Sequence, residues 1–279
     1  MSRFSHIVAS RDGLFLVNRT SFCLVTAGLF FGLALYDEYV VVFEAGDKPW
    51  VENKLGRIVR FTLKDGAPVE PRVMAEGLDN GCHQVDAFDN AFFVVDTYNQ
   101  QILEFDADWK LVHVHQPIPP ARYGAWDQGY VHMNSLAVRG DSIFLLLHRG
   151  GKGRPSEMLE VDREFVEKRR FTLPGEECHD LVPREDGGWL ICDSAHGRLI
   201  SADGPVAEID ALYTRGLSVS ADEIAVGSSL FGARGHRELI PGFVTFLDRS
   251  YQRLGRLHLP AAPTQIRGLD NHHHSRSGL

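Results

Sequence analysis

The sequence predicts an all-β protein, a six-bladed β-propeller of four-stranded antiparallel blades, closed by N- and C-terminal strands in one blade. Three observations carry this. Six short segments repeat one apolar scaffold: Phe31-Gly-Leu-Ala, His83-Gln-Val-Asp, Asn134-Ser-Leu-Ala, His179-Asp-Leu-Val, Arg215-Gly-Leu-Ser and Arg267-Gly-Leu-Asp. A short β-branched or aromatic run follows most of them after a tight polar turn. The repeat period averages ~47 residues, within the range of propeller blades. A pair of β-sandwiches shares the strand spacing but leaves six inner strands with one signature unexplained.

The elements read in order. Each inner strand leads through a turn such as Tyr36-Asp37-Glu38, Phe88-Asp89-Asn90 or Arg139-Gly140-Asp141 into a second strand. Those second strands are Tyr39–Phe43, Ala91–Val95, Ser142–Leu147, Trp189–Cys192 and Glu223–Val226. Gly, Asn and Asp supply the backbone freedom such turns need. A third and fourth strand follow, joined by turns such as Leu63-Lys64-Asp65-Gly66 and Leu247-Asp248-Arg249-Ser250. Met158–Arg170 reads as strand, Asp turn, strand rather than helix. The sixth unit begins at Thr264–Asp270, and its remaining strands are expected at Leu14–Asn18 and Phe22–Thr26. Closure by both termini removes the open sheet edges that invite aggregation. Residues 1–279 are thus expected to form a single β-propeller domain.

Composition excludes several classes. The net charge is −8, with no Lys/Arg run, so nucleic acid and anionic membranes are not expected partners. No apolar run approaches the ~18 residues of a membrane span. No signal peptide is visible, and the four cysteines lack CxxC or disulfide-framework spacing. Buried reduced thiols in a cytoplasmic protein are the expectation. The sequence assigns no oligomeric state.

The varying polar position is the functional clue. In a meander the start of the first strand and the end of the second share one propeller face. The long connectors Glu44–Arg57, Arg149–Ser156, Ser228–Gly242 and His115–Tyr130 fall on that face. Long loops in compact domains are commonly functional. The same face should receive Phe31, His83, His132, Asn134, His179, Arg215 and Arg267 around the axis. His83, His132 and His179 are candidate ligands of a divalent metal ion, with Asp86 or Asp180 orienting an imidazole. The same histidines also suit a polar channel lining or metal-free acid–base chemistry. Asn134 would position water or substrate. Arg215 and Arg267, on adjacent blades, would clamp a carboxylate or phosphate. Phe31 would wall or plug the channel. Trp126 is a ligand-contact candidate in a long loop, and His148 and His236 are acid–base candidates. The tail His272–His274 reads as a flexible terminus.

His132-Met-Asn134-Ser-Leu-Ala, Cys178-His179-Asp-Leu and Thr214-Arg215-Gly-Leu-Ser, with Val226-Gly-Ser-Ser before a long loop, resemble an uncharacterised bacterial family of six-bladed propellers. Its usual motifs are His-Leu-Asn-Gly-Leu-Ala and Arg-Gly-Leu-Ala, and the resemblance runs from about Leu14 onward. It implies the propeller fold and closure by both termini, and no reaction. More distantly the layout is similar to gluconolactonase-like and streptogramin-lyase-like propellers, which hold a divalent metal over the central channel. The acidic and Asn ligand pattern of the gluconolactonase type is missing here, so the nearer analogy is a His-ligated lyase or hydrolase. The expected function is therefore a metal-dependent lyase or hydrolase acting on a small anionic molecule or peptide at the axial mouth. A non-catalytic propeller that binds a ligand or protein is the alternative.

Overall fold

The structure is a computed structural model that describes residues 4–150, 153–184, 186–230, 232 and 240–270. His236 and His272–His274 lie outside the described residues. Six four-stranded antiparallel sheets form a ring. The closing blade joins β24 (Pro263–Gly268) to β1 (His6–Ser10), β2 (Gly13–Val17) and β3 (Phe22–Ala27). Blade one holds β4 (Phe30–Tyr36), β5 (Tyr39–Glu44), β6 (Gly56–Lys64) and β7 (Ala67–Leu78). Blade two holds β8 (Cys82–Phe88), β9 (Ala91–Asp96), β10 (Gln101–Phe105) and β11 (Leu111–His115). Blade three holds β12 (Met133–Arg139), β13 (Ser142–Leu147), β14 (Pro155–Val161) and β15 (Glu167–Glu176). Blade four holds β16 (His179–Pro183), β17 (Trp189–Asp193), β18 (Arg198–Ser201) and β19 (Gly204–Glu208). Blade five holds β20 (Tyr213–Val219), β21 (Ile224–Ser229), β22 (Gly242–Leu247) and β23 (Arg253–Leu259).

Burial explains the sequence pattern of each strand position. The second strand of a blade is covered on both faces by neighbouring blades, so it reads as a continuous apolar run. In β5, Val40, Val41, Val42 and Phe43 are all fully buried. Each such side chain contributes roughly 1.5–3 kcal/mol on burial. Outermost strands keep solvent on one side, and β3 and β11 are mostly exposed. The inner strands neighbour one another in the order β4, β8, β12, β16, β20, β24 and back to β4. Gly32 lets β4 approach β8, because a Cβ there would stand 2.5 Å from the Val85 backbone nitrogen.

The closing blade contains one strand the sequence pattern misses. β2 and β3 match the expected Leu14–Asn18 and Phe22–Thr26 runs, and β1 completes the sheet. All five residues of β1 are buried, so it shows no polar–apolar alternation. Ile7 and Ala9 pack toward blade one with Leu33 and Leu35. Val8 packs the other way, with Ala225, Val244 and Phe246 of blade five. The thiols need one correction: Cys82, Cys178 and Cys192 are buried as expected, but Cys23 is exposed on β3.

Candidate functional site

A repeated backbone irregularity builds the site. Every inner strand slips its register against the second strand near its entrance. The slips skip Phe31 and Gly32 in β4, His83 in β8 and Asn134 in β12. They skip Asp180 in β16, Arg215 and Gly216 in β20, and Thr264 in β24. Such bulges unpair a residue and re-aim its side chain. They also release backbone N–H groups, which side chains of adjacent blades accept. Gln84 Oε1 accepts from Leu136 N at 2.8 Å, and Ser135 Oγ accepts from Asp180 N at 3.1 Å. Asp180 Oδ2 accepts from Gly216 N at 2.7 Å, and Gln265 Oε1 accepts from Leu33 N at 2.6 Å. The ring of bulges is thereby sewn from blade to blade.

Above this throat lies a cavity of about 220 Å³. Phe31, His83, His132, His148, His179 and Arg215 contribute to its wall, and the long connectors cover it with Trp50, Tyr123 and Trp126. The histidine rings form a chain. Centroids of His83 and His132 stand 4.8 Å apart, His132 and His148 4.9 Å, and His148 and His179 5.1 Å. Trp126 lies against His148 and His132, each 6.1 Å away. Gly150 seats that indole: its φ is +55°, and a Cβ there would stand 2.4 Å from the Trp126 ring.

Hydrogen-bond partners assign the tautomers. His83 Nδ1 lies 2.7 Å from Gly81 O, and His179 Nδ1 lies 3.0 Å from Glu177 O. A carbonyl only accepts, so both rings donate through Nδ1–H and keep the lone pair on Nε2. His148 is reversed. Gly150 N donates to His148 Nδ1 at 3.0 Å, so Nε2 carries the proton, 3.3 Å from the Tyr213 hydroxyl. That hydroxyl also stands 3.4 Å from His179 Nδ1. Burial, reinforced by the Arg215 charge, holds His83 and His179 well below the usual imidazole range, so both are neutral at pH 7.

The cationic side of the cavity differs from expectation. Arg215 lies over the Phe31 ring, 5.3 Å from its centroid. Its companion is Arg11, from the turn between β1 and β2, 5.4 Å from the same ring. Sequence reasoning missed Arg11, because the unrecognised β1 left its turn unplaced. Arg267 is not at this mouth. It pairs with Ile7 in the β24–β1 ladder, lines the opposite mouth, and stands 3.8 Å from Asp86. The Arg-Gly-Leu triplets of β20 and β24 look alike, but their bulges fall at Arg215 and Thr264, so the motifs sit three residues out of register.

Other expected residues take different places. Asn134 lies in the throat below the histidines, where its amide donates to Cys178 O at 2.9 Å and accepts from Ser135 Oγ at 3.0 Å. It therefore positions the backbone that precedes His179. Neither Asp86 nor Asp180 orients His83 or His179, whose Nδ1 atoms face backbone carbonyls. Phe31 walls the cavity. Burial pushes the Cys178 thiol up to about 12, and the Cys82 thiol also upward, which suits packing rather than nucleophilic roles.

A divalent metal on His83, His132 and His179 needs three lone pairs aimed at one point. His132 is 4.8 Å from His83 but 6.4 Å from His179, centroid to centroid. His148 lies between His132 and His179, yet its one lone pair faces Gly150 N–H. Among the described residues, no three His, Cys, Asp or Glu side chains form a metal-holding group. The donor set as arranged does not fit the ion.

The opposite mouth opens into a smaller cavity of about 110 Å³. Leu35, Leu136, Val138, Leu181 and Leu217 line it, with Asp86 and Arg267. No helix among the described residues is long and apolar enough to cross a membrane.

No protein-family model and no curated protein matches the chain. Solved structures do, as propellers. A chain of a nidogen/laminin complex aligns with a TM-score of 0.61 at 11% identity, over 95% of this chain and 98% of that one. A gluconolactonase from Xanthomonas campestris aligns with a TM-score of 0.59 at 12% identity, over 93% of this chain and 81% of its own. A streptogramin B lyase aligns with a TM-score of 0.51 at 8% identity, over 94% of this chain and 76% of its own. At these identities the likeness is one of fold.

Proposed function

We propose that the histidine mouth is the active site of a lyase or hydrolase acting on a small anionic molecule. The observation that carries this reading is the split of tautomers within one cavity. His83 and His179 keep lone pairs on Nε2, and His148 carries its proton there. A proton acceptor and an N–H hydrogen-bond donor thus stand in one chain of rings beside a guanidinium. Arg215 holds the anionic group through charge-assisted hydrogen bonds. The Nε2 lone pair of His179 or His83 takes a proton from substrate carbon or from attacking water. The imidazolium so formed returns that proton to the departing oxygen, which His148 Nε2–H, beside the Tyr213 hydroxyl, steadies with a hydrogen bond. The base takes one proton and gives one back, so the site ends each turnover as it began.

That solved propellers of similar layout include a gluconolactonase and a streptogramin B lyase supports this class at the level of fold. No step is routed through a metal, because the imidazoles are not arranged as ligands. The test is a screen of small anionic esters, lactones and β-substituted carboxylates against the wild type, His148→Ala and His179→Ala. Turnover abolished in both variants with the fold intact supports the proposal. Binding without turnover of any compound would replace it with a non-catalytic binding propeller. A stoichiometric divalent ion in protein purified without a nickel column, lost in His83→Ala and His179→Ala, would replace it with metal chemistry.

A further inference from the structure

The ring order of the blades gives the cavity a direction. Arg215 belongs to blade five and Arg11 to the closing blade. In a six-membered ring these blades face blades two and three. On that far side the wall is aromatic. Tyr98 comes from the connector between β9 and β10, and Tyr123 and Trp126 come from the connection between β11 and β12. Tyr98 and Tyr123 stack with centroids 3.9 Å apart. Gly81 provides the seat for Tyr98, since a Cβ there would stand 2.3 Å from its ring. His179, on blade four, lies between these two sides. His83, His132 and His148 belong with blades two and three, where Trp126 stands 6.1 Å from His132 and His148. The mouth therefore has its guanidiniums at one end of a diameter and the Tyr98, Tyr123 and Trp126 rings at the other, with the Glu177 carboxylate also on its wall.

Resting on the reading of this mouth as the ligand site, we infer that its ligand is a small aromatic carboxylate, with the carboxylate at Arg11 and Arg215 and the ring against Tyr98, Tyr123 and Trp126. The size fits: about 220 Å³ is below the ~300–1,000 Å³ of sites for drug-sized ligands. Two guanidiniums stand 5.4 and 5.3 Å from one Phe31 centroid on the wall of the same cavity, a concentration of charge that suits a carboxylate. A flat ring gains offset stacking on the aromatic wall, which an aliphatic chain of equal bulk does not. A single negative charge fits better than a phosphate dianion. The Nε2 lone pairs of His83 and His179 would repel the second charge.

The experiment is calorimetric titration of the full chain with benzoate, cyclohexanecarboxylate and inorganic phosphate. Benzoate is expected to bind at least about tenfold tighter than cyclohexanecarboxylate, the upper part of the gain from aromatic pairing. Arg215→Gln should weaken both carboxylates alike. Trp126→Leu should reduce the ring preference to twofold or less and leave cyclohexanecarboxylate binding in place. Tyr123→Leu is the second variant, should Trp126→Leu fail to fold. Equal, Arg215-dependent binding of both carboxylates would overturn the aromatic class and leave the anion site standing. Phosphate binding tighter than benzoate would overturn the carboxylate. No binding of any anion would overturn the site itself.

Discussion

The same six inner strands build both mouths of the channel, yet the two ends carry opposite chemistry. At the histidine mouth every inner strand is bulged, and the long connectors fold over imidazoles, guanidiniums and aromatic rings. At the other mouth the ladders run regularly into tight turns such as Asp37-Glu38 and Asp89-Asn90, around leucines and valines. The difference teaches how a repeat acquires a site. A regular ladder keeps its backbone groups paired, so its side chains are selected for packing. A bulge frees a residue and a backbone donor on each blade, and the freed positions take up polar work.

The comparison can be broken in four ways, from the largest expected effect to the smallest. His148→Ala and His179→Ala are expected to lower kcat by about 10²–10⁴-fold, the range of a lost general base or of a lost donor to developing negative charge. Steady-state kinetics alongside thermal unfolding would check this, and retained turnover would remove both residues from the chemistry. Acid is the second probe. His83 and His179 sit well below 6.5 when folded, and His6, at the far end of the closing blade, is lowered to about 4 by burial. The unfolded chain then binds more protons than the folded one below pH 6.5, so stability is complete above that pH and is lost as pH falls toward the folded values. His6 alone accounts for roughly 3 kcal/mol of this loss at ~1.36 kcal/mol per pKa unit. A melting temperature that stays flat from pH 7 to pH 4 would contradict the burial of these rings.

Third, Arg215→Gln is expected to cost about 1.5–3 kcal/mol of anion affinity, the worth of hydrogen bonds to a charged group. Titration calorimetry reads the change directly. The smallest effect belongs to the other mouth. Arg267→Gln removes a partly exposed ion pair at 3.8 Å and should cost at most ~1 kcal/mol of stability. Ligand affinity at the histidine mouth should not move, and a tenfold loss there would mean the two ends are coupled.

The repeat was legible in the sequence because inner strands must present small apolar steps to their neighbours, and second strands must be apolar on both faces. The loop-bearing face followed from strand direction alone. What could not be read was register. A bulge adds a residue without leaving a composition signal, so Arg215 and Arg267 looked equivalent although only Arg215 stands at a bulge. In the sequence His148 is one of two acid–base candidates, and only the Gly150 hydrogen bond reveals the proton on its Nε2. Arg11 was hidden behind β1, a strand without alternation.

The closing blade has a consequence for how the chain comes off the ribosome. β1, β2 and β3 are made first, and β24, their partner on the axis, is made last. From Ser10 to Pro263 the edge of β1 has no strand to pair with, and Leu33 N and Phe30 O have no Gln265 or Thr264 side chain to meet. Synthesis therefore outlasts any early docking, and the ring can close only after the final blade has emerged. A circular permutant opened between β3 and β4, with β24 joined to β1, would make every blade contiguous. It should reach the same fold with no strand waiting for a partner of its own sheet.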